Sequence, residues 1–155
     1  MLQSIFRTDN EFSKFFLRLA LSVVIFPHGA QKLFGIFGGH GLEGTLSFFQ
    51  QQFGLDPILI WLLIITETLG AIAILLGFLT RIAAAGIATV MIWAMVLVHL
   101  PNGFFMNWYG TQQGEGFEFH LLAIGISLAL LFGGGGRWSI DRRFIRKPYQ
   151  SSYLH

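Results

Sequence analysis

Six ionisable side chains interrupt stretches that are otherwise apolar: His28, Lys32, Glu67, His99, Glu118 and His120. Imidazoles and carboxylates are the side chains that exchange protons in enzymes, and a lysine beside them sets the local field. The set suits proton-coupled chemistry on a redox-active head group of the quinone type. In that reading His28 and Glu67 exchange protons, and Lys32, His99, Glu118 and His120 contact the ligand. Three histidines and two glutamates would also supply donors for a metal or haem, but their spacing argues against it. Glu118 and His120 are two apart and point to different faces of a helix, and no Glu-x-x-His or His-x-x-x-His pair occurs. No metal site is expected. The third option is a small transporter or a non-catalytic scaffold. A single unit without an inverted repeat or a second broken helix argues against transport.

Each of these residues also has a plainer use. Lys32 lies close enough to a helix end to snorkel to lipid headgroups, and for this residue alone that is the expected behaviour. His28 follows Pro27, whose ring releases a backbone carbonyl one turn earlier, so the imidazole has a kink to satisfy. His99 and His120 have boundary carbonyls to bond, and Glu118 suits a helix N-terminus. Glu67 has the weakest plain use. A carboxylate near mid-membrane costs several kcal/mol unless it is protonated or paired, and such residues are functional by default. Pairing with a His or Lys to lock two helices together is its structural alternative.

The elements that must position these groups are membrane helices. Of the 155 residues 54% are hydrophobic and only 12% charged, against roughly 25% charged in a soluble domain. The length accommodates four helices of about 20 residues and leaves no room for a second domain. The apolar runs predict helices over about 15–34, 58–79, 82–100 and 117–132, with Asp56 and Pro57 opening the second. Residues 1–14 form a cytoplasmic segment, 15–136 the membrane domain and 137–155 a basic cytoplasmic tail. The run Gly133 to Gly136 reads as helix termination, since no strand flanks it as a phosphate loop requires. Leu46, Phe49 and Phe53 fall at helical spacing and predict a short interfacial helix over 45–53. The aromatic loop of Phe104, Phe105, Trp108, Tyr109 and Phe117 reads as an interfacial belt, or as a lid over a pocket.

Charge placement sets the topology. Nine of the ten Lys and Arg residues lie in three places: Arg7, Lys14 and Arg18; Arg81; and Arg137, Arg142, Arg143, Arg146 and Lys147. Loops 35–57 and 101–117 contain none. This predicts an all-α bundle with both termini inside, multi-pass in a bacterial plasma (inner) membrane. The basic tail then reads as a topology or lipid contact, and nucleic acid is not an expected partner. At 1.5 Å per residue, His28 lies about 9 Å and Lys32 about 3 Å below the outer end of helix 1, and Glu67 about 13–14 Å down helix 2. His99, Glu118 and His120 fall near the outer boundary, so five residues gather in the outer third above a floor made by Glu67.

At these residues the chain resembles the DoxX family of small bacterial membrane proteins. The matching pieces are Phe26 to Leu33 (FPHGAQKL), Glu67 to Gly70 (ETLG) and Leu76 to Arg81 (LGFLTR). They continue with Ala94 to His99, Asn102 to Phe105 (NGFF), Glu118, and Gly135 to Asp141 (GGRWSID). His120 and the tail after Asp141 fall outside the pattern. The resemblance implies four membrane helices and a link to redox processes. Related DoxD-type proteins form part of thiosulfate:quinone oxidoreductase, and other members associate with oxidative-stress proteins. It therefore implies a partner redox subunit or a homo-oligomer. The chain has no cysteine, so it forms no persulfide of its own, and any sulfur chemistry needs a partner subunit.

The topology makes a direct prediction. Single cysteines placed in 35–57 or 101–117 should react with an impermeant thiol reagent in intact cells. Labelling only of a cysteine placed beside Arg81 or Arg143 would invert the arrangement.

Overall fold

A computed structural model describes residues 6–8 and 10–145. Asp9, Arg146, Lys147 and the rest of the basic tail after Ile145 lie outside the described residues. The described chain is helical, without strands. Helix α1 is Ser13–Phe34, α2 is Gly41–Phe53, α3 is Pro57–Leu76, α4 is Thr80–Asn102 and α5 is Glu118–Gly133, followed by a 3-10 turn, Ile140–Phe144. The four long helices alternate in direction, and α2 crosses the end where α1 stops and α3 starts.

The local chemistry explains most of the boundaries. Asp56 caps α3, its side chain accepting from the Ile58 amide at 2.8 Å, and Pro57 follows at the first helical position. Gly35, Gly54 and Gly77 end α1, α2 and α3 in left-handed conformation, the usual glycine C-cap. Helix α3 therefore stops at Leu76 rather than running to residue 79. Helix α2 starts at Gly41, four residues before the expected start at 45. Helix α4 is longer than its apolar run at both ends, and α1 continues unbroken through Pro27.

Both long apolar helices contain a π-helical turn, Thr66–Gly70 in α3 and Met95–His99 in α4. Neither was visible as a pattern in the apolar runs. A π-turn inserts one residue into the helix and re-aims the side chains on it, and such turns concentrate at functional sites. Glu67 sits on the first and His99 on the second.

The core is made by Leu21 and Ile25 of α1, Ala71 and Ile74 of α3, Ala84, Ile87, Val90 and Met91 of α4, and Ala123 and Leu130 of α5. Alanines at three of these helices let the backbones approach closely. Ser22 Oγ donates to the Ala71 carbonyl at 2.8 Å, tying α1 to α3. Large apolar side chains cover the outside as well: Phe16 and Val23 on α1, Ile58 and Leu62 on α3, Trp93 and Val96 on α4, Leu122 and Phe132 on α5. Helices apolar all round belong in lipid or in a large core, and 155 residues make no large core. Two of them, Pro57–Leu76 and Thr80–Asn102, are long and apolar enough to cross a membrane by themselves.

The basic residues at the opposite end do more than mark it. Lys14 Nζ donates to the Gly133 carbonyl at 3.0 Å, and Arg81 Nη1 and Nη2 donate to those of Leu131 and Phe132 at 2.9 and 2.8 Å. Arg18, 1% exposed, donates to the Leu75 carbonyl at 3.0 Å and to that of Trp138 at 2.6 Å. These cations satisfy the last carbonyls of α5 and α3 and oppose the negative helix ends. Asp141, also buried, accepts from the Leu79 and Thr80 amides at 2.7 and 2.9 Å and so caps α4 from 61 residues away. That cap holds Leu79 in a left-handed conformation that a leucine rarely adopts.

Candidate functional site

The site begins at a glycine. A Cβ on Gly29 would lie 2.5 Å from Thr68 Oγ1 and 2.7 Å from the backbone of Glu67 and Thr68. Only a glycine lets α1 lie this close to the π-turn of α3. On the other side, a Cβ on Gly86 of α4 would meet Thr66 Cγ2 at 3.1 Å. The π-turn carrying Glu67 is thus clamped between two helices.

Glu67 is 3% exposed, and its Oε2 accepts from Lys32 Nζ at 2.6 Å. Lys32 also approaches its own helix, donating to the His28 carbonyl at 3.4 Å. The expected snorkelling of Lys32 is therefore corrected. Helical side chains tilt toward the helix N-terminus, and α1 ends just beyond Lys32. The tilt carries the four-carbon stem back down the bundle toward Glu67, closing the depth difference between the two Cα positions. Each charge is the other's compensation, because a buried carboxylate without a cation is strongly unfavourable.

None of the other four predicted side chains hydrogen-bonds to this pair, but His28 lies within electrostatic range of Lys32, Glu67 and His99, and His120 within range of His28 and His99. His28 is exposed on the surface of α1, its ring 6.2 Å from that of Phe119, and no hydrogen bond links it to Glu67. His99 and His120 form a second centre, with ring centroids 4.1 Å apart. His99 Nδ1 lies 2.8 Å from the Glu115 carbonyl. A carbonyl only accepts, so that nitrogen carries the proton. His120 is 5% exposed and its Nδ1 has no hydrogen-bond partner. Glu118 turns away from both centres. Its Oε1 accepts from the Met106 amide at 2.9 Å and faces Trp108 Nε1 at 3.4 Å.

Glu118 and Glu115 instead brace the loop between α4 and α5. Glu115 Oε2 accepts from the Asn107 amide at 2.7 Å, and Asn102 Nδ2 donates to the Glu115 carbonyl at 3.1 Å. The Phe117 and Glu118 amides bond the carbonyls of Gly103 and Phe104, closing the loop at its base. Its aromatic tip, Trp108 and Tyr109, is exposed. Glu115 had no signal in the sequence beyond its place in a loop, and Asn102 only its place in the NGFF piece of the family resemblance. Among the described residues no three His, Asp or Glu side chains gather as a metal-ligand group.

A cavity of about 330 Å³ opens at the same end, under α2. It is lined by Gln31 and Lys32 of α1, Gly38, Gly39 and His40 of the connecting loop, and Thr45, Phe48 and Phe49 of α2. Gln31 Nε2 donates to the Phe37 carbonyl at 2.9 Å, and Thr45 Oγ1 donates to the Lys32 carbonyl at 3.2 Å. These bonds fix loop and helix α2 against the last turn of α1. Only Lys32 among the six predicted residues reaches the cavity.

An apolar-surfaced helix bundle enclosing a lysine–carboxylate pair defines a membrane protein with a polar interior site. The DoxX family model matches residues 13–100, and the chain belongs to that family. It is 29% identical over 77% of its length to "Putative oxidoreductase CatD" of Bacillus subtilis, covering 79% of that protein. It is also 29% identical to the uncharacterized membrane protein Rv3486 of Mycobacterium tuberculosis, over 84% of this chain and 80% of that one. An uncharacterized protein of Haemophilus influenzae is 29% identical over 85% of this chain and 90% of its own. No solved structure matches the chain.

The pair predicts a non-additive mutant series. Lys32→Met strands the Glu67 carboxylate and should destabilise the protein by about 3–5 kcal/mol in a denaturant titration in detergent. Adding Glu67→Gln should restore most of that loss. Additive losses would show that the two residues do not depend on each other.

Proposed function

We propose that this protein is a multi-pass subunit of a membrane redox system, binding a quinone-type head group at the Lys32–Glu67 pair. In this reading α1, α3, α4 and α5 all cross a bacterial plasma membrane, with both termini in the cytoplasm. The supporting pattern is the up-down order of the helices, the apolar outer faces on all four, and cations confined to one end except Lys32. Helix α5 has 16 residues, about 24 Å. The Lys14 and Arg81 bonds at its end supply the polar contacts where it meets the cytoplasmic boundary.

The buried ion pair carries the functional reading. A structural contact between two membrane helices needs no charge, and small residues already bring α1 and α3 together here. A bound quinone-type group supplies two-electron, two-proton chemistry, with electrons from a partner subunit. The chain supplies a fixed donor, the Lys32 ammonium, backed by a carboxylate able to hold a proton. His28, whose carbonyl also holds Lys32 and which lies within electrostatic range of Glu67 and His99, is the second proton-exchanging group. His99 and His120 sit beneath the loop that Glu115 and Glu118 brace, and control access from that side. A name given to the Bacillus relative, an oxidoreductase, agrees with this assignment. One observation favours the alternative, a non-catalytic scaffold: the pair bridges α1 and α3 at their tightest contact.

Glu67→Gln separates the two readings. It keeps the shape and a hydrogen-bond acceptor for Lys32 but removes the proton-accepting carboxylate. The variant should insert and assemble normally, yet lose quinone-dependent turnover in the reconstituted system by about tenfold or more, the scale of one acid–base group. Undiminished turnover in assembled protein would leave the scaffold.

A further inference from the structure

The cavity under α2 shares only Lys32 with the residues already discussed, and its chemistry narrows what it can hold. Two phenylalanines, Phe48 and Phe49, form one side. Their edge-to-face arrangement, with centroids 5.3 Å apart, presents apolar aromatic surface. Four of the eight lining residues are polar, Gln31, Lys32, His40 and Thr45, beside the two aromatic rings. An aromatic wall beside a set of fixed polar groups is a feature of small-molecule pockets, and about 330 Å³ lies at the small end of their range.

The charge count excludes a simple anion site. Lys32 is the one cation lining the cavity other than the titratable His40, and Glu67 already neutralises it at 2.6 Å. An ammonium has three N–H donors. One serves Glu67 and a second the His28 carbonyl. The third remains for an acceptor on a neutral ligand. The cavity is also built rather than incidental. Any side chain at Gly39 would strike the Gln31 backbone, and the Gln31 and Thr45 bonds hold both rims.

We infer that this cavity is the ring site for a neutral, planar, conjugated dicarbonyl ligand of the quinone type, held by Lys32 and flanked by Phe48 and Phe49. This rests on the redox reading above and adds its entry and specificity residues: Gln31, His40, Thr45, Phe48 and Phe49. The ligand would enter from the end covered by α2, where His40 and Phe48 are exposed, and meet the Lys32–Glu67 pair from above.

The test is photolabelling of nanodisc-embedded protein with an azido-substituted, decyl-tailed benzoquinone, mapped by mass spectrometry of protease fragments. Label displaced by the unsubstituted benzoquinone should fall within residues 38–49. Paired Phe48→Ala and Phe49→Ala substitutions should reduce that labelling by about tenfold, with helicity and gel-filtration behaviour unchanged. If the double variant does not assemble, the map on the native chain decides. Displaceable label around Lys32 and Glu67 on α1 and α3, with none in 38–49, would overturn this site and leave the redox reading standing. Displaceable label nowhere on the chain would overturn both.

Discussion

A carboxylate inside an apolar helix bundle has to be compensated, and Lys32 is the compensation for Glu67. Much of the geometry at that end follows from making this one contact. Gly29 is needed because α1 must lie against the backbone of Glu67. The π-turn is needed because a regular helix would present Glu67 at a different angle. The direction of α1 is needed because only an outward-running helix tilts Lys32 back into the bundle. Thr45 and Gln31 then build α2 and its loop around the turn that carries Lys32.

The opposite end solves a different problem with similar residues. Helix ends expose carbonyls that lipid cannot satisfy, and Lys14, Arg18 and Arg81 reach across the bundle to satisfy them. These cations therefore stitch α1, α3, α4 and α5 together. Asp141 returns the favour for α4, fixing the turn after α3 in a conformation its own residues disfavour. One end is built for rigidity by backbone capping. The other holds a charge pair beside an open cavity, which is where a ligand has room to act.

Most helix positions were legible in the sequence because apolar run length, Asp56–Pro57 and the terminal glycines are local signals. So was the need of a buried Glu67 for a His or Lys partner, which Lys32 supplies. The π-turns were not legible, since they change the helix by one residue within an unbroken apolar run. For Lys32 the plainer use, snorkelling, fails and the pairing with Glu67 forms: depth alone places it near headgroups, and only side-chain direction sends it inward. Grouping six residues by depth could not say which of them bond one another. Depth ignores rotation about the helix axis, which puts His28 on the surface and turns Glu118 to the loop. The cavity residues were hidden because Phe49 read as part of the apolar face of an interfacial helix, and Phe48 and Gln31 had no reading of their own.

The central claim is that Glu67 is a carboxylate paired with Lys32 and takes up a proton when the ligand is reduced. Electrochemically induced infrared difference spectroscopy on the quinone-loaded protein in membranes tests it most directly. Reduction should convert an ionised carboxylate signal into a protonated carboxyl signal, and both should vanish in Glu67→Gln. A carboxyl signal already present before reduction and assigned to Glu67, or a difference spectrum unchanged by the substitution, would contradict the account.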